Sequence, residues 1–283
     1  MPYLAAAANG LFAEYGFDIE LMEPAPGPEN VRRVAAGGSD FCLTSVSHYL
    51  RARAQSGDLA ARYVGVVVQV DPIAGLVAED SDMVRPADLS GRRLGGPATS
   101  GLVAEFQAGL EFLGLAPAEL APIDYGKAPA ALGRGEVDMV ADYADLVPRT
   151  RRQAGVDVRP VRLDLPRYSS GVVAADRLPA DLVDRMVQAI AAALESQRQD
   201  PEASVGPLLQ RYPDVDPADA LEGWDLGVPN IFTEFTGQPL GSMDADRWAT
   251  TIEFVAGAHN LPAPPPETVY RPERLLTKTS GGS

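Results

Sequence analysis

Two rhythms of apolar and polar residues alternate along this chain, one suited to helices and one to strands. Residues 4–15 are alanine-rich and close near Gly16, which predicts a helix. Phe17-Asp-Ile-Glu-Leu-Met22 alternates apolar and polar, which suits a strand with one buried face. Pro24 to Pro28 is a loop, and Glu29 to Ala36 a helix with Val31, Val34 and Ala35 on one face. Gly37-Gly38 supplies the left-handed stop, Phe41 to Thr44 a short strand, and Ser45 to Ala54 a second helix. Tyr63 to Val70 is a β-branched run that fits a strand buried on both faces, and Ile73 to Ala78 is another strand.

The same alternation continues. Arg85 to Gly96 reads as a short helix, a turn and a strand, followed by a helix from Leu102 to Leu113. A strand at Ile123–Tyr125, a helix at Ala128–Leu132 and strands at Val137–Ala141 and Ser170–Ala175 follow. Leu182, Val183, Met186, Val187, Ile190 and Leu194 fall at helical spacing. The rest reads as mostly helical. Strands and helices in alternation predict an α/β protein.

One piece of this grammar occurs twice. Val34-Ala-Ala-Gly-Gly-Ser-Asp-Phe41 aligns without a gap on Leu132-Gly-Arg-Gly-Glu-Val-Asp-Met139. Each copy ends a helix at a Gly, places an Asp and enters an apolar strand. Two such units imply two similar lobes with a cleft between them, where small ligands commonly sit.

Composition narrows the picture little. The 283 residues are 46% hydrophobic and 22% charged, as in ordinary globular proteins. A net charge of −15 argues against a nucleic-acid surface. One cysteine, Cys42, allows no internal disulfide, and two histidines, His48 and His259, leave too few ligands for a structural zinc site. No cofactor is expected. The first residues lack the basic and long apolar regions of a complete signal peptide. Residues 277–283 are polar and read as a disordered tail.

Several segments together resemble the type II periplasmic binding proteins of ABC importers, in the branch handling nitrate, taurine, alkanesulfonates and thiamine pyrimidine precursors. They are Gly10 to Leu21, Val34 to Phe41, Ala52 to Gly57, Arg85 to Gly95, Leu132 to Met139 and Tyr270 to Leu276. The resemblance implies a two-lobed α/β fold. Lobe one would take residues 1–76 and 172–276, and lobe two residues 77–171. Family members open with a strand ahead of the first helix, whereas this chain starts inside that helix. A start placed too late is the expectation, with a cut chain or a lost strand as alternatives.

The resemblance also implies hinge closure on a small ligand and delivery by a monomer to an ABC permease. The location would be extracytoplasmic, periplasmic or on the cell surface, if the start is truncated, and cytoplasmic if it is not. The rival reading is a cytosolic enzyme or sensor on the same fold. The eukaryotic pyrimidine synthase of this branch has a histidine at the place matching His48 and a pyridoxal phosphate lysine four residues earlier. Here that position is Thr44, so no Schiff base can form. The synthase's Cys-rich loop is absent too, so no catalytic residue is assigned.

Candidate ligand residues fall at the C-terminal ends of strands. Thr99, Ser100 and Gly101 open a helix whose free N–H groups attract polar or anionic groups, although Thr and Ser also suit a plain cap. Thr44-Ser45 and Asp142-Tyr143 follow the two repeat copies and could contact a ligand or merely cap helices. His48 lies on the helix that opens there. Gln69 and Asp71 end the β-branched run at cleft or hinge, and Tyr168 lies where the chain recrosses. Trp224 could supply an aromatic wall. Cys42 reads as an inert core thiol and His259 as a helix-terminal residue. Tyrosines at these positions, with no obvious Arg among them, favour a planar pyrimidine precursor over a sulfonate or taurine.

Overall fold

Among the described residues, eight strands divide into two sheets, and the chain passes between them twice. The computed structural model describes residues 1–25 and 27–275. The expected tail at 277–283 lies outside the described residues. The first sheet has the order β1-β8-β2, from β1 (Phe41–Ser45), β2 (Ala61–Val68) and β8 (Ser170–Ala175), all antiparallel. The second has the order β5-β4-β6-β3-β7, from β3 (Ile73–Ala78), β4 (Arg93–Gly96), β5 (Glu119–Pro122), β6 (Met139–Tyr143) and β7 (Val158–Arg162). β4 runs parallel to β5 and β6, while β3 is antiparallel to β6 and β7. The second sheet is thus inserted whole into the first. Segments 69–72 and 163–169 are the two connections.

Helices cover both sheets. The first half carries α1 (Pro2–Ala8), α2 (Leu11–Glu14), α3 (Glu29–Ala35) and α4 (Val46–Ser56). The inserted part carries α5 (Gly101–Phe112), α6 (Ala128–Gly133) and α7 (Val147–Ala154). After β8 come α8 (Ala180–Gln199), α9 (Val205–Arg211), α10 (Pro217–Gly227), α11 (Thr233–Thr236) and α12 (Ala245–Ala258). The helical spacing expected after Leu182 is the buried stripe of α8: Val183, Met186, Val187, Ile190 and Leu194 pack with Val64, Val67 and Val172 of the first sheet. Each such side chain contributes about 1.5–3 kcal/mol by leaving water. On the opposite side, Trp248 is fully buried among Tyr63, Tyr168 and Tyr270, with ring centroids 4.9–5.6 Å away.

The repeated motif folds the same way twice. α3 and α6 both end ahead of a left-handed glycine, Gly37 (φ 81°) and Gly135 (φ 71°). Five-residue strands then start at the aligned Phe41 and Met139. The two Asp residues of the motif act locally: Asp40 accepts from Arg177, and Asp138 accepts from the backbone and side chain of Arg93.

Four local expectations are corrected. The helix at 4–15 breaks at Asn9–Gly10, where Gly10 is left-handed (φ 76°). Phe17–Met22 forms no strand: Phe17 and Ile19 pack on the α8 core, but no ladder partner runs beside the segment. The strand expected at Ile123–Tyr125 lies earlier, at Glu119–Pro122, because Leu120 and Ala121 pair with Leu94 and Gly95 and Asp124 begins the turn into α6. β7, Val158–Arg162, has no counterpart among the expected strands. Its Arg and Pro residues hide the strand rhythm, and it forms by pairing with β3.

Two glycines of the second repeat copy have different reasons to be glycine. A Cβ on Gly133 would sit 2.0 Å from the carbonyl oxygen of Ala154, so the backbones of α6 and α7 touch there. Gly135 has open space and needs only its positive φ. Gly133→Ala is therefore expected to cost about 2–3 kcal/mol or more by forcing α6 and α7 apart. Gly135→Ala should cost about 1–2 kcal/mol. Urea unfolding of both variants checks the order.

Candidate functional site

The two connections bring charge into the space between the sheets. Asp71 on one and Arg167 on the other are both buried and form an ion pair. The same Arg167 Nη2 donates to Glu105 Oε2 of α5 at 2.7 Å, while its guanidinium lies over the Phe254 ring, 4.5 Å from the centroid. Glu105 Oε1 accepts from Ser47 Oγ of α4 at 2.5 Å and lies 2.9 Å from His259 Nε2, just past α12. Asp71 also accepts from the Ile73 N–H at 3.2 Å, which fixes the start of β3. Five segments from both halves therefore meet on one buried chain of charges. α12 packs along α5 beside it, with Phe112 edge-on to Phe254 at 5.9 Å.

A second bridge joins α10 to the inserted part. Gly223 of α10 approaches so closely that a Cβ there would be 2.7 Å from the Asp145 carbonyl oxygen. Glu222 takes both terminal nitrogens of Arg151, at 2.9 and 2.6 Å, and Asp219 pairs with Arg152 at 2.6 Å.

Beside the charge chain lies a cavity of about 190 Å³, lined by Arg51, Gln55, Thr99, Gly101, His259 and Leu261. Its floor is the N-terminus of α5, where Ser100 accepts from Val103 N–H as a cap. A Cβ on Gly101 would lie 2.9 Å from His259 Cε1 and 3.9 Å from Arg51 Nη1. Glycine thus lets the imidazole and the guanidinium come down onto the helix end. Arg51 makes no hydrogen bond or ion pair among the described residues. The helix end, the Arg and the hydroxyl of exposed Thr99 together favour negative charge.

The structure sorts the sequence candidates. Thr99 and Gly101 line this cavity, with Ser100 between them. His48 is half-buried nearby, its pKa lowered by burial and by Arg51. Ser45 caps α4 by accepting from the His48 N–H, and Thr44 is buried with its hydroxyl unbonded. Tyr143 stands partly buried at the end of β6, and its hydroxyl pKa is raised by burial and then by Glu105 and Asp71. Asp142 points elsewhere, into a hollow with Tyr125, Arg149 and Gly96, where it accepts from the Tyr125 hydroxyl at 2.6 Å. That hollow has only about 10 Å³ free, room for roughly one water.

Four candidates are spoken for by the core. Gln69 donates to the Val66 and Ser242 carbonyls, and Asp71 belongs to the charge chain. Tyr168 is fully enclosed against Trp248, its hydroxyl accepting from the Asp244 N–H. Trp224 lies edge-on to Phe232 at 6.0 Å, on the α8 core. Cys42 is partly buried, and burial pushes its thiol up to about 12. Among the described residues no group of three or more His, Cys, Asp and Glu could hold a metal ion.

Sequence reading missed Arg51, Glu105, Arg167 and His259 as site residues. Glu105 carried a usable signal: it interrupts the apolar face of α5 formed by Val103, Phe106, Gly109 and Leu110. A carboxylate there needs a buried partner.

The charge chain dictates a pH response. Burial pushes the Asp71 carboxyl up to about 6, against the pull of Arg167. Burial also opposes charge on Glu105, yet His259, Arg167 and Ser47 outweigh it and hold the pKa near 2. As pH falls through 6, the folded chain takes up a proton at Asp71 that the unfolded chain does not bind, so stability rises. Below about 4.5 the unfolded chain protonates its free Glu105 while the folded chain does not, so stability falls. The contribution of the pair therefore peaks near pH 4–5. Urea midpoints at pH 7, 5 and 3 should show Asp71→Asn losing the rise from pH 7 to 5, on the order of 1–3 kcal/mol. Glu105→Gln should lose the steep fall below pH 4.5.

Comparison with known proteins places this architecture. No curated protein matches the sequence. The periplasmic aliphatic sulphonate binding protein SsuA of Escherichia coli has a similar structure, with a TM-score of 0.72 at 20% identity, covering 98% of this chain and 88% of that one. The alkanesulfonate-binding protein SsuA of Xanthomonas axonopodis pv. citri, bound to MOPS, gives 0.63 at 17% identity, covering 97% and 94%. The desulfurization enzyme DszB gives 0.60 at 17% identity, covering 96% and 93%. These likenesses show the two-lobed α/β fold of periplasmic binding proteins, which carries binders and enzymes alike. The model of a family described as NMT1/THI5 like matches residues 1–204, and the chain belongs to that family.

Proposed function

We propose that this protein is a solute-binding component that captures a small organic anion between its two sheet-and-helix lobes and presents it to a membrane permease. The observation that carries the reading is Arg51. Among the described residues it has no hydrogen bond or ion pair, and it stands at the N-terminus of α5 in a cavity that also holds Thr99, Gly101 and His259. Tyrosines without an arginine favoured a planar, uncharged solute. Arg51 alters that balance, and Tyr168 is enclosed and engaged in the core.

The oxygens of a sulfonate or carboxylate would accept from Arg51 and from the α5 backbone N–H groups, while Leu261 and the stem of Gln55 meet the carbon chain. The cavity is smaller than the ~300–1,000 Å³ of drug-sized pockets, which suits a short alkyl anion. The sulphonate-binding proteins that share the fold support this class of solute. An extracytoplasmic location accords with the same relatives. Cys42 holds its proton far above neutral pH and offers no thiolate, which speaks for binding over cysteine chemistry.

Isothermal titration against short alkanesulfonates, taurine and hydroxymethyl pyrimidine tests the reading. Binding of an alkanesulfonate is expected, and Arg51→Ala should weaken it roughly 10–150-fold, the loss of one charge-assisted contact. Binding of the pyrimidine alone, unaffected by Arg51→Ala, would overturn the anion assignment.

A further inference from the structure

The imidazole of His259 stands between the charge chain and the cavity. Its Nε2 lies 2.9 Å from Glu105 Oε1. Glu105 has its pKa held near 2, so at neutral pH it is a carboxylate and can only accept. Nε2 therefore carries a hydrogen. The other edge of the ring comes down on the N-terminus of α5, where a Cβ on Gly101 would lie 2.9 Å from Cε1 and 3.7 Å from Nδ1. Nδ1 has no hydrogen-bond partner among the described residues and is on the side of Gly101, which lines the cavity with it.

A neutral imidazole has a single N–H. With that hydrogen given to Glu105, neutral His259 turns the Nδ1 lone pair toward whatever enters the cavity. The oxygens of a sulfonate only accept, so they would meet a lone pair there. Resting on the anion reading, we infer that His259 binds the solute as an imidazolium, donating Nδ1–H to it, and that capture of the anion takes up a proton.

Charge balance points the same way. Arg51 and Arg167 stand beside Glu105 and Asp71, two cations with two anions. An incoming anion leaves this largely buried group with an uncompensated negative charge, and a proton on His259 restores the balance. His259 also caps the C-terminal end of α12, whose dipole favours a cation. The other titratable group close by is His48 of α4, where burial and Arg51 both oppose protonation. The turn Pro266–Thr268, which also packs on α12, brings only the exposed Glu267, beside Tyr270. The bound form thus holds one more proton than the free form. Affinity is greatest at low pH and is lost as pH rises.

Isothermal titration of the whole protein with ethanesulfonate, ionised at every pH used, tests this. Tris and triethanolamine serve as buffers, since neither is an anion and their ionisation enthalpies differ. At pH 8, where Asp71 and Glu105 are both ionised, the difference in heat between the two buffers should report uptake of about one proton per solute. Between pH 7.5 and 9 the affinity should fall about tenfold per pH unit. His259→Asn places an amide N–H where Nδ1–H stood. It should still bind, without proton uptake and with a flat pH profile. His48→Gln should keep the uptake.

Binding by the wild type without proton uptake would overturn the role of His259 and leave the anion reading standing. Uptake that persists in His259→Asn would do the same. No binding at any pH from 6 to 9 would overturn both.

Discussion

The shared guanidinium of Arg167 is the constraint around which the molecule is organised. It is buried on the second connection, pairs with Asp71 on the first and with Glu105 on α5. A buried cation of this kind is tolerated only with close anionic partners. Its partners in turn fix where β3 starts, where α5 lies and how α12 approaches. The Asp71 carboxylate receives the Ile73 N–H, and Glu105 reaches Ser47 and His259 across the cleft. Removing the network would leave the angle between the sheets to the packing of α12 on α5 and to the α10 bridge.

Around that network the two lobes are held by different physics. Within each lobe, apolar burial dominates: the α8 stripe and the Trp248 cluster on the first sheet, and Phe106, Leu110 and Met139 on the second. Between the lobes, charged contacts stand beside apolar ones such as Phe112 edge-on to Phe254. Apolar cores resist small displacements because they are close-packed. Ionic contacts with a few discrete arrangements can be broken and remade.

Polar satisfaction also explains why several strand-end candidates serve structure. Ser45 and Ser100 are helix caps, accepting from the His48 and Val103 N–H groups, and Gln69 and Tyr168 close hydrogen bonds inside the first-half core. Asp142 and Tyr143 are adjacent on β6 and point to opposite faces, as strand geometry requires. One therefore faces the tight hollow beside Tyr125, while the other stands near the charge chain.

The sequence by itself determined the α/β class, the strand–helix alternation, the repeated turn and the loop at Thr99–Gly101. Each is written in short-range periodicity or in glycines whose left-handed φ is a local demand, as at Gly37 and Gly135. Tertiary structure alone decided that Arg51, in the middle of α4, meets the N-terminus of α5, and that Glu105 meets His259 154 residues away. It also decided that Phe17–Met22, alternating as it is, makes no strand, and that Val158–Arg162 does. A strand exists only where a neighbour supplies the other half of its hydrogen bonds. A charged site exists only where the fold brings its partners within a few ångströms, and no local pattern encodes that distance.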